Sequence, residues 1–179
     1  MTRRDFIKRG GGLLAVCAFP NVILADSAVK RQEKRLSLYN IHTGEMEKAT
    51  FWADGEYVAE ELERLDRLLR DYRTGDIHTM DRKLFDLLHD IESHFGTAHK
   101  PFHIISGYRS PKTNEMLRKH SRGVAKQSLH MKGRAIDINL PGVELAQLRL
   151  AARRLRRGGV GYYPKSGFVH VDTGRVRYW

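Results

Sequence analysis

The stretch Ser128-Leu129-His130-Met131-Lys132-Gly133-Arg134-Ala135-Ile136-Asp137, continued by Ile138-Asn139-Leu140, decides the fold. Its alternation predicts a strand over residues 133–140, with Ala135, Asp137 and Asn139 on one face and Ile136 and Ile138 turned into the core. Gly133 permits a tight turn between His130 and that strand, and Ala135 leaves room beside the Asp137 carboxylate. A histidine just before a strand and an acid along it can converge on one ion. Near the end of the chain Phe168-Val169-His170-Val171-Asp172 alternates again, so His170 and Asp172 share a face opposite Val169 and Val171. Two His and one Asp make a donor set typical of catalytic zinc, with the fourth position left for water. The chain has nine histidines, so a lone His carries little weight; His130 and His170 stand out by their company.

Outward from these strands the pattern alternates between periods. Residues 35–52 predict a β-hairpin around Thr43-Gly44-Glu45. Val58, Leu62, Leu65, Leu69 and Tyr72 step by three and four, predicting a helix over 57–72, and Leu84 to Phe95 predicts a second over 81–95, capped by Asp81 and stopped by Gly96. A strand is expected over 101–109, a short helix over 111–119, a helix over 145–157 stopped by Gly158-Gly159, and a closing hairpin over 160–171 through Pro164-Lys165-Ser166-Gly167. Helices and strands mix without a regular β-α-β rhythm. The expected class is therefore α+β, an antiparallel sheet flanked by helices.

The 179 residues suit one domain. There are 32 Lys+Arg against 21 Asp+Glu, a net charge of +11, and one cysteine, Cys17, which excludes an intrachain disulfide and any multi-thiolate metal cluster. Arg3-Arg4-Asp5-Phe6-Ile7-Lys8, followed by a short Gly-rich apolar run to Ala25, has the layout of a twin-arginine export signal. Residues 1–25 are thus expected to be a signal peptide, 26–34 a linker and 35–179 the working domain. The leader holds Arg3, Arg4, Lys8, Arg9 and Asp5 as well as Cys17, so the remainder is thiol-free and keeps +8 of the charge. A thiol-free domain suits the periplasm. The twin-arginine translocase is then a partner during export.

Ser-x-His-x-x-Gly-x-Ala-x-Asp at 128–137, Ser-Gly-Tyr-Arg-Ser at 106–110, and Gly-Gly-Val-Gly-Tyr-Tyr-Pro…Phe-Val-His-x-Asp-Thr-Gly at 158–174 together resemble the D-Ala-D-Ala carboxypeptidase/hedgehog-type zinc metallopeptidase superfamily, and more closely its murein endopeptidase K branch. The resemblance runs from the leader to Trp179. It implies that His130, Asp137 and His170 bind zinc and that Arg109 holds the substrate carbonyl oxygen as it becomes an oxyanion, a task suited to a permanently charged group with several donors. Without the resemblance a surface ion pair would be the simpler reading of Arg109. Ser128 falls where relatives contact substrate; a turn hydroxyl is the other reading. Carboxypeptidase members carry a general-base Glu three residues before the last His ligand, and this chain has Gly167 there. Asp172 is the candidate water-activating base, with an acceptor that orients His170, or an Asx turn, as alternatives.

The resemblance implies hydrolysis of peptidoglycan stem-peptide cross-links, at diaminopimelate–diaminopimelate (L,D) bonds, with D-Ala–diaminopimelate bonds as the other option. A monomer is expected. A non-catalytic zinc-containing module that binds peptidoglycan is the alternative, kept alive by Gly167. Arg149, Arg153, Arg154, Arg156 and Arg157 raise a nucleic-acid reading, but at helical spacing they fall opposite Leu148, Ala152 and Leu155, as a solvated face does. Export argues against nucleic acid as well.

Overall fold

The computed structural model describes residues 32–96, 100–121 and 123–179; the expected leader and the linker up to residue 31 lie outside them. Strand β1 (Glu33–Asn40) begins inside the segment expected as linker and forms the predicted hairpin with β2 (Met46–Ala53). A turn through Asp54 and Gly55, both at positive φ, then returns the chain as a two-residue strand, β3 (Glu56–Tyr57). Helix α1 therefore starts at Ala59, two residues beyond the expected 57, and runs to Leu68. It ends before the expected 72 because the chain turns at Asp71, whose buried carboxylate accepts from the N–H groups of Arg73 at 3.0 Å and Ser110 at 2.9 Å.

Helix α2 (Arg82–Phe95) has Asp81 as its cap, the side chain accepting from Lys83 N at 3.1 Å, and stops at Gly96. Strand β4 (Phe102–Ser106) leads to α3 (Pro111–His120), capped by Ser110 Oγ, which accepts from Thr113 N at 3.2 Å. A single 3-10 turn (Leu129–Lys132) precedes β5 (Ala135–Asn139). Helix α4 (Leu145–Leu155) ends with Arg156 in the left-handed region at φ 51°, ahead of the two glycines expected as its stop: Gly158 lies in the bend that follows and Gly159 already opens β6 (Gly159–Tyr163). Strands β7 (Phe168–Asp172) and β8 (Arg177–Tyr178) complete the sheet.

The strands form one eight-stranded sheet in the order β3-β2-β1-β4-β5-β7-β6-β8. Five pairings are antiparallel; β1–β4 and β6–β8 are parallel. The α+β class is thus observed, with a mixed sheet. Ile136, Ile138, Val169, Val171 and Val160 face a core completed by Leu65, Leu84, Phe85, Leu88, Ile91 and Leu148. Burying each such side chain is worth about 1.5–3 kcal/mol against leaving it exposed. Because side chains alternate, the same strands turn Asp137, His170 and Asp172 to the opposite face. Among the described residues no helix is long and apolar enough to cross a membrane.

Candidate metal centre

His130 lies in the 3-10 turn between Ser128 and Gly133. The Ser128 hydroxyl caps the turn by accepting from His130 N at 3.3 Å, and Gly133 closes it at φ 63°. A Cβ on Gly133 would stand 2.5 Å from the Thr79 carbonyl oxygen, so the turn lies flush against the segment before α2. Gly133 O accepts from Asp81 N at 2.8 Å, which ties the turn to the start of that helix. Asp137 and His170 are directly paired across β5 and β7.

These placements bring three buried side chains together. His170 Nδ1 is 2.8 Å from Asp137 Oδ1, His130 Nε2 is 3.3 Å from the same oxygen, and the two ring nitrogens are 3.2 Å apart. Among the described residues this is the group of His, Cys, Asp or Glu side chains able to hold a metal ion. Ligand atoms about 2.0–2.1 Å from a tetrahedral zinc stand roughly 3.3 Å from one another, so the spacing fits.

The protons fit as well. His130 Nδ1 lies 2.8 Å from Gly107 O, and a carbonyl can only accept, so that nitrogen carries the hydrogen and Nε2 of the neutral ring offers a lone pair. His170 Nε2 donates to Asp172 Oδ2 at 3.0 Å, leaving Nδ1 as the lone pair of its neutral ring. Two lone pairs and a carboxylate oxygen therefore converge on one point, an arrangement that calls for a cation.

Without a metal, a proton is that cation. Burial opposes charging of His170, but hydrogen bonds to Asp137 and Asp172 outweigh it and push its pKa up to about 9. Burial lowers His130. For Asp137 burial acts upward, yet the two imidazoles hold the carboxyl well below the usual carboxylate range.

Arg109 follows the Ser106-Gly107-Tyr108 turn, its N–H donating to His130 O at 3.2 Å. A guanidinium nitrogen stands 3.7 Å from Asp137 Oδ2, and the buried Nε has no hydrogen-bond partner. Burial lowers its pKa, against the pull of Asp137, and an arginine so placed still keeps its charge. Gly167 ends the turn between β6 and β7 at φ 72°, with its carbonyl accepting from Asn139 Nδ2 at 2.8 Å.

Asp172 stands on the far side of the His170 ring from Asp137 and is fully buried. Besides His170, its carboxylate accepts from Arg177 at 3.0 and 2.7 Å, from Gly159 N at 3.1 Å and from Gly174 N at 2.8 Å. Burial alone would raise its pKa, but these bonds, led by those from His170 and Arg177, hold the carboxyl far below the usual range. Sequence reasoning missed Arg177 and Trp179 beside this pair. Their signal was the spacing Arg-x-Trp opposite Gly-x-Gly, which acquires meaning only once β8 is known to lie next to β6.

Residues 28–179 match the model of the family described as Peptidoglycan L,D-endopeptidase MepK. The chain belongs to this family. The MepK-family protein of Escherichia coli K12, named peptidoglycan L,D-endopeptidase MepK, is 46% identical over 177 residues, covering 99% of this chain and 96% of the relative. The protein of the same name from Shigella flexneri matches to the same extent. The Haemophilus influenzae relative, named probable peptidoglycan L,D-endopeptidase MepK, is 42% identical over 99% of this chain and 95% of its own length. The MepK-family match spans every element of the sheet and the whole His130–Asp137–His170 group.

Proposed function

We propose that the protein is a zinc-dependent peptidoglycan endopeptidase of the periplasm that hydrolyses the L,D bond between two diaminopimelate residues of cross-linked stem peptides. The observation that carries this reading is the convergence of His130 Nε2, Asp137 Oδ1 and His170 Nδ1, each histidine having its other nitrogen engaged. The names of the relatives support the substrate and the bond.

His130, Asp137 and His170 would hold the zinc, which when bound would supply Lewis acidity, lowering the pKa of a water to roughly 7 and polarising the scissile carbonyl. Arg109, whose buried Nε–H has no hydrogen-bond partner among the described residues, would donate to that carbonyl oxygen as negative charge develops, which is worth more in a buried site than in water. Asp172 fixes the tautomer and angle of His170. Its oxygens are engaged behind the ring, so we read it as a positioning residue and no longer as the water-activating base that the sequence led us to expect. Ser128 we assign to capping the turn that holds His130. Export by the twin-arginine pathway rests on the leader sequence, and peptidoglycan as the partner rests on the family. Nucleic acid is not a partner in this reading: Arg149 and Arg153 stack on Tyr162 and Tyr178, and Arg157 pairs with Asp90.

A binding module without hydrolysis is the second reading, favoured by Gly167 and by the engagement of Asp172. Digestion of purified sacculi with the zinc-loaded protein, its chelated form and H130A separates the two. After the glycan is cut with a muramidase, loss of the diaminopimelate–diaminopimelate dimers with the loaded protein alone supports hydrolysis, and their persistence supports binding.

A further inference from the structure

Strand β6 presents two glycines, Gly159 and Gly161, to the face that carries the metal centre. On one side of it Gly161 pairs with His170, and Gly159 N donates to Asp172 Oδ1 at 3.1 Å. On the other side Gly159 pairs with Arg177, and two main-chain bonds, Trp179 N to Val160 O at 3.2 Å and Tyr162 N to Trp179 O at 3.0 Å, set Trp179 opposite Gly161. Two rows thus cross the sheet, Asp172–Gly159–Arg177 and His170–Gly161–Trp179.

The missing side chains let β8 reach over β6 to β7. A Cβ on Gly161 would stand 2.7 to 2.8 Å from three atoms of the Trp179 indole, and one on Gly159 would collide with the Arg177 guanidinium and the Asp172 carboxylate. Through the first gap the indole comes to 5.4 Å from the His170 ring, centroid to centroid. Through the second, Arg177 grips Asp172 with two hydrogen bonds of 3.0 and 2.7 Å. Arg177 also lies over the indole at 4.8 Å, and the indole Nε1 donates to the Tyr163 hydroxyl at 2.8 Å.

We propose that β8 is a positioning element for the metal-binding histidine: Arg177, acting through Asp172, and Trp179, packing on the ring, hold His170 with Nδ1 toward Asp137 and His130. A two-bond guanidinium contact fixes the carboxylate plane, and that plane in turn fixes the direction of the His170 Nε2–H bond. A lysine offers a point charge and fixes no plane. The indole blocks rotation of the ring about its own attachment. The proposal rests on the metal-centre reading above.

Zinc affinity measured by chelator competition on the full chain tests it, together with the visible spectrum of the cobalt-substituted protein and the His170 Nε2–H proton resonance of the metal-free protein. R177M, W179A and G161A are each expected to weaken zinc binding about 10- to 100-fold and to alter the cobalt spectrum. R177K should not restore affinity. In a D172N background R177M should add less than about twofold, because its route to His170 is already cut. The protected Nε2–H resonance should be present in the wild type and lost in R177M. Circular dichroism reports folding; if R177M does not fold, W179A and G161A carry the same test. Wild-type zinc affinity with an unchanged Nε2–H resonance in folded variants would overturn the proposal, as would an equal cost of R177M with and without the Asp172 carboxylate. A wild-type chain that binds no zinc refutes the metal-centre reading, and the metal-free resonance still decides whether β8 positions His170.

Discussion

Asp137 and His170 face each other across β5 and β7, with Oδ1 of one 2.8 Å from Nδ1 of the other. In the metal-free protein a proton occupies this contact, since the His170 pKa is pushed up to about 9. A metal at the proposed centre would therefore compete with this proton for Nδ1. Calorimetry of zinc binding near pH 6, below the pKa expected of a zinc-bound water, in buffers of different ionisation enthalpy, should show about one proton released per metal, and affinity should rise with pH until about 9. Binding without proton release would mean that His170 is already neutral.

The same shift sets the pH dependence of the metal-free fold. A folded pKa above the unfolded value of roughly 6.5 stabilises fully below 6.5, and that contribution is lost as pH rises through about 9. Asp172 shifts the other way, so its contribution is present above roughly pH 4 and is lost as pH falls through the depressed folded value. Thermal melts of the chelated protein should therefore give a lower Tm at pH 10 than at pH 6, and likewise a lower Tm at pH 3 than at pH 6. Zinc should flatten the alkaline side.

Asp172→Asn distinguishes orientation from proton transfer. The account predicts a folded protein with zinc affinity reduced about 10- to 100-fold and turnover recovered by excess zinc. If affinity stays unchanged while kcat falls at saturating zinc, Asp172 is the base after all.

Arg109→Ala should leave zinc binding intact and lower kcat about 10²- to 10³-fold, the scale for loss of one oxyanion donor. Arg109→Lys should recover only part of this, because the charge returns without the directed N–H groups. A KM effect with wild-type kcat would place Arg109 in substrate binding alone.

The alternation of β5 separates core from site, and single substitutions can check it. Ile138→Ala, at a fully buried position, should cost about 2–5 kcal/mol in urea unfolding. Asn139→Ala, one residue on and half-buried, removes a single hydrogen bond to Gly167 O and should cost about 1 kcal/mol. Equal costs would contradict the face assignment.

Much of this architecture is legible in the sequence because its signals are local. Period-two alternation marked 133–140 and 168–172, and Asp81 and Gly96 marked both ends of α2. The two-residue strands at Glu56–Tyr57 and Arg177–Tyr178 were not legible, since two residues have no period. For the same reason Tyr57 was assigned to α1. The convergence of His130, Asp137 and His170 could be inferred from strand faces, whereas the positioning role proposed for Asp172 could not. That role depends on Arg177, which reaches it only because β8 runs parallel to β6 and Gly159 carries no side chain. Gly158-Gly159 looked like a helix stop for the same reason: nothing local distinguishes a glycine that ends a helix from one that opens a path between strands.

The most direct measurement is mass spectrometry of two purified muropeptide dimers, one joined through diaminopimelate–diaminopimelate and one through D-Ala–diaminopimelate, after incubation with the zinc-loaded protein. The account predicts that the first is split to monomers, that a chelator stops the reaction and added zinc restores it, and that the second stays intact. Persistence of both dimers beside folded, zinc-loaded protein, or cleavage that continues after the metal is removed, would contradict it.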